Sequence, residues 1–244
     1  MKVLILGGTG YLGPHVVKAL EGRHELRVTD IKPPASKLAH EFRRVDIASL
    51  DQVRNAAEGM DAIVNLAVLR NDRRLAFDVN TRGCYNMMLA AVEHKIRRVI
   101  NTGPHLVVSG LPYDRFDFGI TPDSPPQPGT HLYGLSKSLG QEICRVFSQH
   151  HDVHVQEHLF FSLRDMDKLT PGADATPFSI SWGDAGEAIR LGLEIDLAKL
   201  PSRCETFFVF ADMPHGKYVN EKVKRILGLR FRDDLSILWR KPER

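Results

Sequence analysis

An α/β fold built on one doubly wound parallel sheet is predicted for this chain by three observations. Apolar runs of strand length alternate with amphipathic helical stretches along most of the 244 residues, the pattern of a parallel sheet with helices on both faces. The first run leads directly into a glycine-rich turn and then a helix. The second run ends on an acidic residue about 20 positions further along, the spacing of a dinucleotide-binding unit.

Taken in order, Lys2 to Gly7 reads as a strand and Gly8-Thr9-Gly10-Tyr11-Leu12-Gly13 as the turn. Val16, Val17, Ala19 and Leu20 mark the buried side of the helix that follows. Glycines permit the tight turn and let backbone approach a pyrophosphate, whose charge the helix N-terminus favours. Pro14 falls in the first helical turn, where its missing N–H costs little. The second strand, Leu26 to Asp30, presents a carboxylate suited to the adenosine ribose hydroxyls and hostile to a 2′-phosphate. That favours NAD over NADP, with Lys32 close enough to blur the preference.

Ser49 and Gln52 have capping-box spacing for a helix over 50–58. Strands are predicted at 62–67, 97–102 and 153–161, and a long helix over 72–95 whose core face carries Leu75, Val79, Met87, Met88, Leu89 and Val92. A proline-rich loop, 111–129, holds Tyr113, Asp114, Phe116, Asp117 and Phe118 and reads as a lid or an oligomer contact. The helix after it carries Tyr133 and Lys137. Four residues apart, these share one helix face. A phenol titrates near pH ~10 unassisted, and a neighbouring ammonium lowers that value, so the pair makes a proton-transfer group. Beyond Phe161, Ser181-Trp182-Gly183-Asp184 opens a helix to about 196, followed by a strand at 205–210 and a helix at 215–228. The organisation predicted is a Rossmann-type domain over 1–161 and a small substrate-binding lobe over 162–244, partly packed back on it.

Together these features resemble the extended short-chain dehydrogenase/reductase superfamily, in its NAD-dependent epimerase/dehydratase group. Gly7, Gly10 and Gly13 match the Gly-x-x-Gly-x-x-Gly turn, and Asp46-Ile47 looks like the pair that contacts adenine after the third strand. Asn65-Leu66-Ala67 resembles the end of the fourth strand that lines the cofactor. Asn80, Gly83 and Asn86 follow the helix pattern Asn-x-x-Gly-Thr-x-Asn, with Cys84 in place of Thr, and Tyr133 to Lys137 fits the Tyr-x-x-x-Lys box. The resemblance implies NAD as cofactor, held by the turn (with Tyr11 and Leu12), Asp30, Asp46, Ile47, Leu66, Ala67, Asn80, Tyr133 and Lys137. It also implies Tyr133 as general base, Lys137 as its activator and ribose ligand, and a homodimer through the Tyr-bearing helix.

The chain departs from the family pattern twice. The Ser/Thr that usually holds the substrate oxygen aligns with Gly103, leaving Thr102 (if the turn is shifted) or His105 to supply a donor. Relatives often carry Arg-Pro-x-Asn where this chain reads Leu159-Phe160-Phe161-Ser162-Leu163-Arg164. Arg164 suits a substrate carboxylate or a structural ion pair. The short lobe points to a free sugar or sugar acid, and the size, the run Asp30-Ile31-Lys32-Pro33 and the compact C-terminus look like the uronate dehydrogenases of that family.

Composition narrows the classes. With 43% hydrophobic residues and a formal charge of +3, the chain can bury a full core. No apolar run is long enough for a bilayer and the first strand begins at Lys2, so a cytoplasmic protein with no membrane partner is expected. Cys84, Cys144 and Cys204 lack metal-ligand spacing and read as reduced core residues. His150, His151, His154 and His158 straddle a helix end and a strand, and no metal is expected. Residues 215–244 carry nine Lys/Arg against four Asp/Glu, attractive to an anionic substrate or simply a solvated helix and tail. Without aromatic interleaving, nucleic acid is not an expected partner. Two functions stay open: an NAD-dependent oxidoreductase on a sugar or sugar-acid hydroxyl, with a nucleotide-sugar epimerase or dehydratase as its variant, and a non-catalytic NAD-binding sensor favoured by Gly103.

Overall fold

Alternation along the first strand, β1 (Lys2–Leu6), decides the layering. Val3 and Ile5 point to one face and Leu4 and Leu6 to the other, as a period of two requires, and they enter different core clusters. The computed structural model describes residues 1–110, 118–173, 176–213 and 216–239. After β1 come α1 (Gly13–Leu20), β2 (Glu25–Asp30), β3 (Glu41–Arg44), α2 (Leu50–Ala57) and β4 (Ala62–Asn65). Next are α3 (Arg73–Phe77), a π turn (Asp78–Arg82), α4 (Gly83–Glu93), β5 (Arg98–Pro104) and the short α5 (Leu106–Ser109). The chain continues with α6 (Leu132–His150), β6 (His154–Phe160), β7 (Leu163–Arg164), β8 (Ile180–Ser181), α7 (Trp182–Glu194), β9 (Cys204–Phe208) and α8 (Glu221–Leu227).

Seven strands pair in parallel in the order β3-β2-β1-β4-β5-β6-β9, with Ile5 opposite both Val28 and Val64. One face is covered by α1 and α7 through Val16, Leu20, Ile189 and Leu193. The other is covered by α2, α4 and α6 through Val53, Met87, Met88 and Cys144. Side chains of this size each contribute about 1.5–3 kcal/mol on full burial, which explains the continuous apolar runs. The strand order reverses between β1 and β4, and a crevice opens there at the C-terminal ends of the strands.

β9 is the seventh strand of the main sheet and α7 packs on α1, because Phe207 and Ile189 share a core with Val3 and Ile5. What stands apart is the two-stranded sheet β7–β8 and a small cluster of Ala211, Leu235 and Leu238. Two local expectations are corrected and a third is refined. The helix predicted over 72–95 runs from Arg73 to Glu93 and carries within it a π turn at Asp78–Arg82, one extra residue per turn of the kind that concentrates at functional sites. The capping box does not form: Ser49 makes no side-chain cap, and Gln52 Oε1 accepts from the Asp46 N–H at 2.8 Å instead. The helix predicted at 215–228 begins only at Glu221, since Tyr218 is buried in a bridge with Ile120 and Asn220 is tied to the Phe210 carbonyl. Of the proposed lid or oligomer contact, Tyr113, Asp114, Phe116 and Asp117 lie outside the described residues, and Phe118 is exposed.

Candidate active site

A cleft of about 1110 Å³ runs across the C-terminal ends of β1, β2, β4 and β5. Its first end is built by the glycine turn. Gly7 has φ +76°, and a Cβ there would come 2.6 Å from the Ala67 amide nitrogen, so only glycine lets β1 and β4 close at this point. At Gly13 a Cβ would lie 2.0 Å from the Gly8 carbonyl oxygen, so this glycine seats the helix on the turn and does not itself line the cleft. Gly10, Tyr11 and Leu12 do line it. Asp30 also lines the cleft while its carboxylate accepts from the Thr9 N–H (3.1 Å) and the Lys32 N–H (3.3 Å). Asp46 and Ile47 continue the wall, with the Ile47 carbonyl fixed by Asn86 at 2.9 Å.

The second end is built by β4, β5 and α6. Leu66, Ala67, Thr102, Tyr133 and Lys137 all line it, so sequence positions 70 residues apart share one cavity with the glycine turn. Lys137 is buried, and its ammonium donates to the carbonyls of Ala67 and Thr102, both at 2.9 Å. Burial pushes its pKa down, with Glu157 among the charges opposing the shift. Asn80 stands behind the cleft. It accepts from the Leu69 N–H and donates to the Leu69 carbonyl and to Ser136 Oγ, pinning the segment after β4 against α6.

Tyr133 is not engaged as its spacing from Lys137 suggested. Among the described residues no hydrogen bond joins the two. The neighbour that touches the phenol is Arg70, whose guanidinium carbon lies 5.1 Å from the ring centroid. Burial raises the tyrosine pKa above the usual phenol value, and the charge and hydrogen bond of Arg70 pull it back.

Neither candidate for a substrate-oxygen donor, Thr102 or His105, is aimed into the cleft, and Gly103 has little room for a side chain. Thr102 Oγ1 donates to the Asn65 carbonyl at 2.8 Å, across the sheet. A side chain at Gly103 would meet Gln141 Nε2 at 2.6 Å and Leu159 at 3.2 Å. His105 is fully buried, stacked on Phe178 (4.6 Å, 19°) and edge-on to Phe161 and Tyr218, and burial drives its pKa down to about 3. It does not line the cleft. Arg164 sits in β7 opposite Ser181 and does not line the cleft either, whereas Ser162 and Leu163 do. Of the basic residues near the C-terminus, Lys222 pairs with Glu205, Lys224 with Asp212 and Arg232 with Glu187, and none of these three lines the cleft.

Sequence reasoning missed Arg70, Ser162, Thr176 and Trp182, all in the cleft wall. The available signal for Arg70 was its place three residues beyond the Asn65-Leu66-Ala67 strand end, at the head of the run Arg70-Asn71-Asp72-Arg73-Arg74. Beneath the site, Asn65 donates to Asn101 and Asn101 to Glu157, so the polar groups of three adjacent strands satisfy one another.

Comparison with known proteins adds the family. A sequence profile described as the NAD dependent epimerase/dehydratase family matches residues 3–161. Uronate dehydrogenase of Pseudomonas syringae pv. tomato is 30% identical over 151 residues, 60% of this chain; the match spans about half of that protein (54%). NAD-dependent glucose-6-phosphate dehydrogenase of Haloferax volcanii is 23% identical over 252 residues, covering 93% of this chain and 91% of the relative. Among solved structures, a uronate dehydrogenase variant from Agrobacterium tumefaciens complexed with NAD superposes with a TM-score of 0.81 at 21% identity. That superposition covers 100% of this chain and 91% of the other, a shared fold.

Proposed function

The chain belongs to the NAD dependent epimerase/dehydratase family, and from that premise we propose that it is an NAD-dependent oxidoreductase acting on a hydroxyl of a sugar or sugar acid. The observation that carries this reading is the continuity of one cleft, with a glycine turn and Asp30 at one end and Tyr133 and Lys137 at the other. The residues fit a dinucleotide: Gly7 and Gly13, where a Cβ would collide with Ala67 and Gly8, let the turn close on β4 and on the helix, and Gly10, which lines the cleft, leaves the turn open to a pyrophosphate. NAD supplies, when bound, the acceptor for a hydride. In this reading Gly10, Tyr11, Leu12 and Asp30 would hold its pyrophosphate and adenosine end, Asp46 and Ile47 its adenine, and Leu66, Ala67 and Lys137 its nicotinamide end.

Tyr133 takes the proton. As the C–H electron pair of the substrate carbinol leaves as hydride, the O–H proton passes to the phenolate oxygen and the carbinol becomes a carbonyl. Burial alone would leave the phenol too basic, and the charge and hydrogen bond of Arg70 offset that rise, with Lys137 on the same helix face as the proposed activator and ribose ligand. The Ser162 hydroxyl, in the cleft wall, takes the place of the usual Ser/Thr in steadying the substrate oxygen, since the Thr176 hydroxyl is paired with Ser179. A dimer through α4 and α6 is supported by exposed Tyr85, Leu139 and Val146 on those helices. The test is NADH formation by the native protein with NAD and a panel of uronates, aldoses and sugar phosphates. Turnover of at least one is the expected result.

A second reading, NAD binding without turnover, is favoured by the same residues that depart from the family pattern. Thr102 is spent on Asn65 and Gly103 has no hydroxyl. NAD-dependent thermal stabilisation together with no NADH from any member of the panel would select it.

A further inference from the structure

We propose that Arg70 holds the acid group of the substrate, so that the cleft selects a hydroxy sugar bearing one anionic group over its neutral counterpart. The inference rests on the oxidoreductase reading above and names the substrate class and the residue that reads it.

Arg70 stands at the reacting end of the cleft. Its guanidinium lies over the Tyr133 ring at 5.1 Å, and Arg70 lines the same cavity as Tyr133 and Lys137. Its backbone is held from behind, because the preceding residue, Leu69, is gripped at both N–H and carbonyl by the buried Asn80. The side chain is exposed, and among the described residues no carboxylate pairs with it. Another arginine of the cleft, Arg82, is neutralised by Asp78 at 3.3 Å. The acids in the wall, Asp30, Asp46 and Asp78, belong to the strand ends and π turn of the nucleotide side. Pro104, Phe161, Ser162, Leu163 and Thr176 also line the cavity and add no acid to it.

A guanidinium has five N–H donors, so beyond the one shared with the Tyr133 phenol enough remain for two parallel hydrogen bonds to a carboxylate or phosphate. A substrate whose hydroxyl meets Tyr133 therefore has its acid group within a sugar's width of Arg70. Arg164, the residue that the sequence offered for this role, lies outside the cleft. The contact with Tyr133 gives a second consequence. Because the Arg70 charge opposes the burial that raises the phenol pKa, its removal moves the titration of the base to higher pH.

The experiment measures binding to the NAD-loaded protein by calorimetry, with galacturonate, glucuronate, glucose 6-phosphate, galactose and glucose as probes. Native protein, Arg70→Ala, Arg70→Lys and Arg73→Ala are compared; Arg73 is exposed and outside the cleft, so its loss controls for net charge. Native protein is expected to prefer an acid over its neutral counterpart. Arg70→Ala should weaken that acid by about 10–100-fold, the range for a charged hydrogen-bonding partner, with neutral-sugar and NAD affinities kept. Arg70→Lys should restore part of the loss, Arg73→Ala should match native, and Arg70→Ala should shift any pH–rate profile upward. The uronate and phosphate arms identify the acid. An unchanged acid-to-neutral ratio in Arg70→Ala overturns the proposal, as does failure of every acid to bind native protein. A loss of NAD affinity in Arg70→Ala overturns it too, assigning the guanidinium to the dinucleotide. Arg70-dependent acid binding without NADH formation would retire the oxidoreductase reading alone.

Discussion

Side chains that look available in the sequence are spent in the fold, and Thr102, His105 and Asp30 show three outcomes. Thr102 gives its hydroxyl to Asn65, and His105 disappears among Phe161, Phe178 and Tyr218. Asp30 remains at the cleft, although one oxygen already receives the Thr9 N–H. Its position at the end of β2 still fits it to discriminate between cofactors. NAD should raise the melting temperature and NADP should not, and Asp30→Ala should narrow that difference, as read by thermal shift at matched cofactor concentration. Equal stabilisation of the native chain by both cofactors contradicts the role given to this carboxylate. Sequence spacing revealed the residues of this wall that follow from backbone pattern: the glycines, Asp30, Tyr133 and Lys137. The place of Arg70 just past a cofactor-lining strand end hinted at the cleft, but its contact with Tyr133 was not legible, because it joins the segment after β4 to α6 and depends on how Asn80 pins that segment.

At the scale of elements, α6 is positioned by how closely it approaches the π turn. A Cβ at Gly140 would lie 2.2 Å from the Asn80 carbonyl oxygen and 2.9 Å from Cys84 Sγ, so the helix has no room to spare there. Glycine inside a helix ordinarily costs about 0.5–1 kcal/mol relative to alanine. Here the sign should reverse. Gly140→Ala is expected to destabilise by about 2 kcal/mol through overpacking against backbone that cannot yield, with reduced turnover because Tyr133 and Lys137 ride on the same helix. Denaturant titration checks it; a more stable variant would mean that the close approach is not obligatory. The strands were legible because both faces of this sheet are buried and the apolar runs are continuous. The π turn inside the helix predicted over 72–95 was not, since a single inserted residue leaves the periodicity of Met87, Met88 and Val92 intact. The late start of α8 was hidden for a similar reason: Tyr218 and Asn220 are drawn into contacts with residues far away in the chain.

Over the whole molecule, the sheet gathers its polar groups inward, and stability inherits their titration. Burial holds His105 and His158 down to about 3, both below the ordinary value of 6.5. The unfolded chain binds those two protons in the window between 6.5 and 3 while the folded chain does not. Their contribution to stability is therefore complete above about pH 6.5 and is lost as pH falls. Glu157 works the other way, since burial lifts it to about 7 and favours the folded, protonated form until pH rises through that value. With two histidines against one glutamate, the melting temperature should drop between pH 7 and pH 5, and Glu157→Gln should steepen the drop. A flat profile would contradict the buried, neutral state of the histidines. The same inward packing draws β9 and α7 into the main sheet, so the C-terminal third completes the scaffold that holds Tyr133 in the cleft. The central claim is that this tyrosine carries the proton, and the direct measurement is the paired assay of native protein and Tyr133→Phe. NADH formation from the best sugar acid and NAD affinity are read on each. The account predicts a fall in turnover by roughly 10²–10⁴-fold with NAD affinity unchanged. A Tyr133→Phe variant that turns over at the native rate would contradict it.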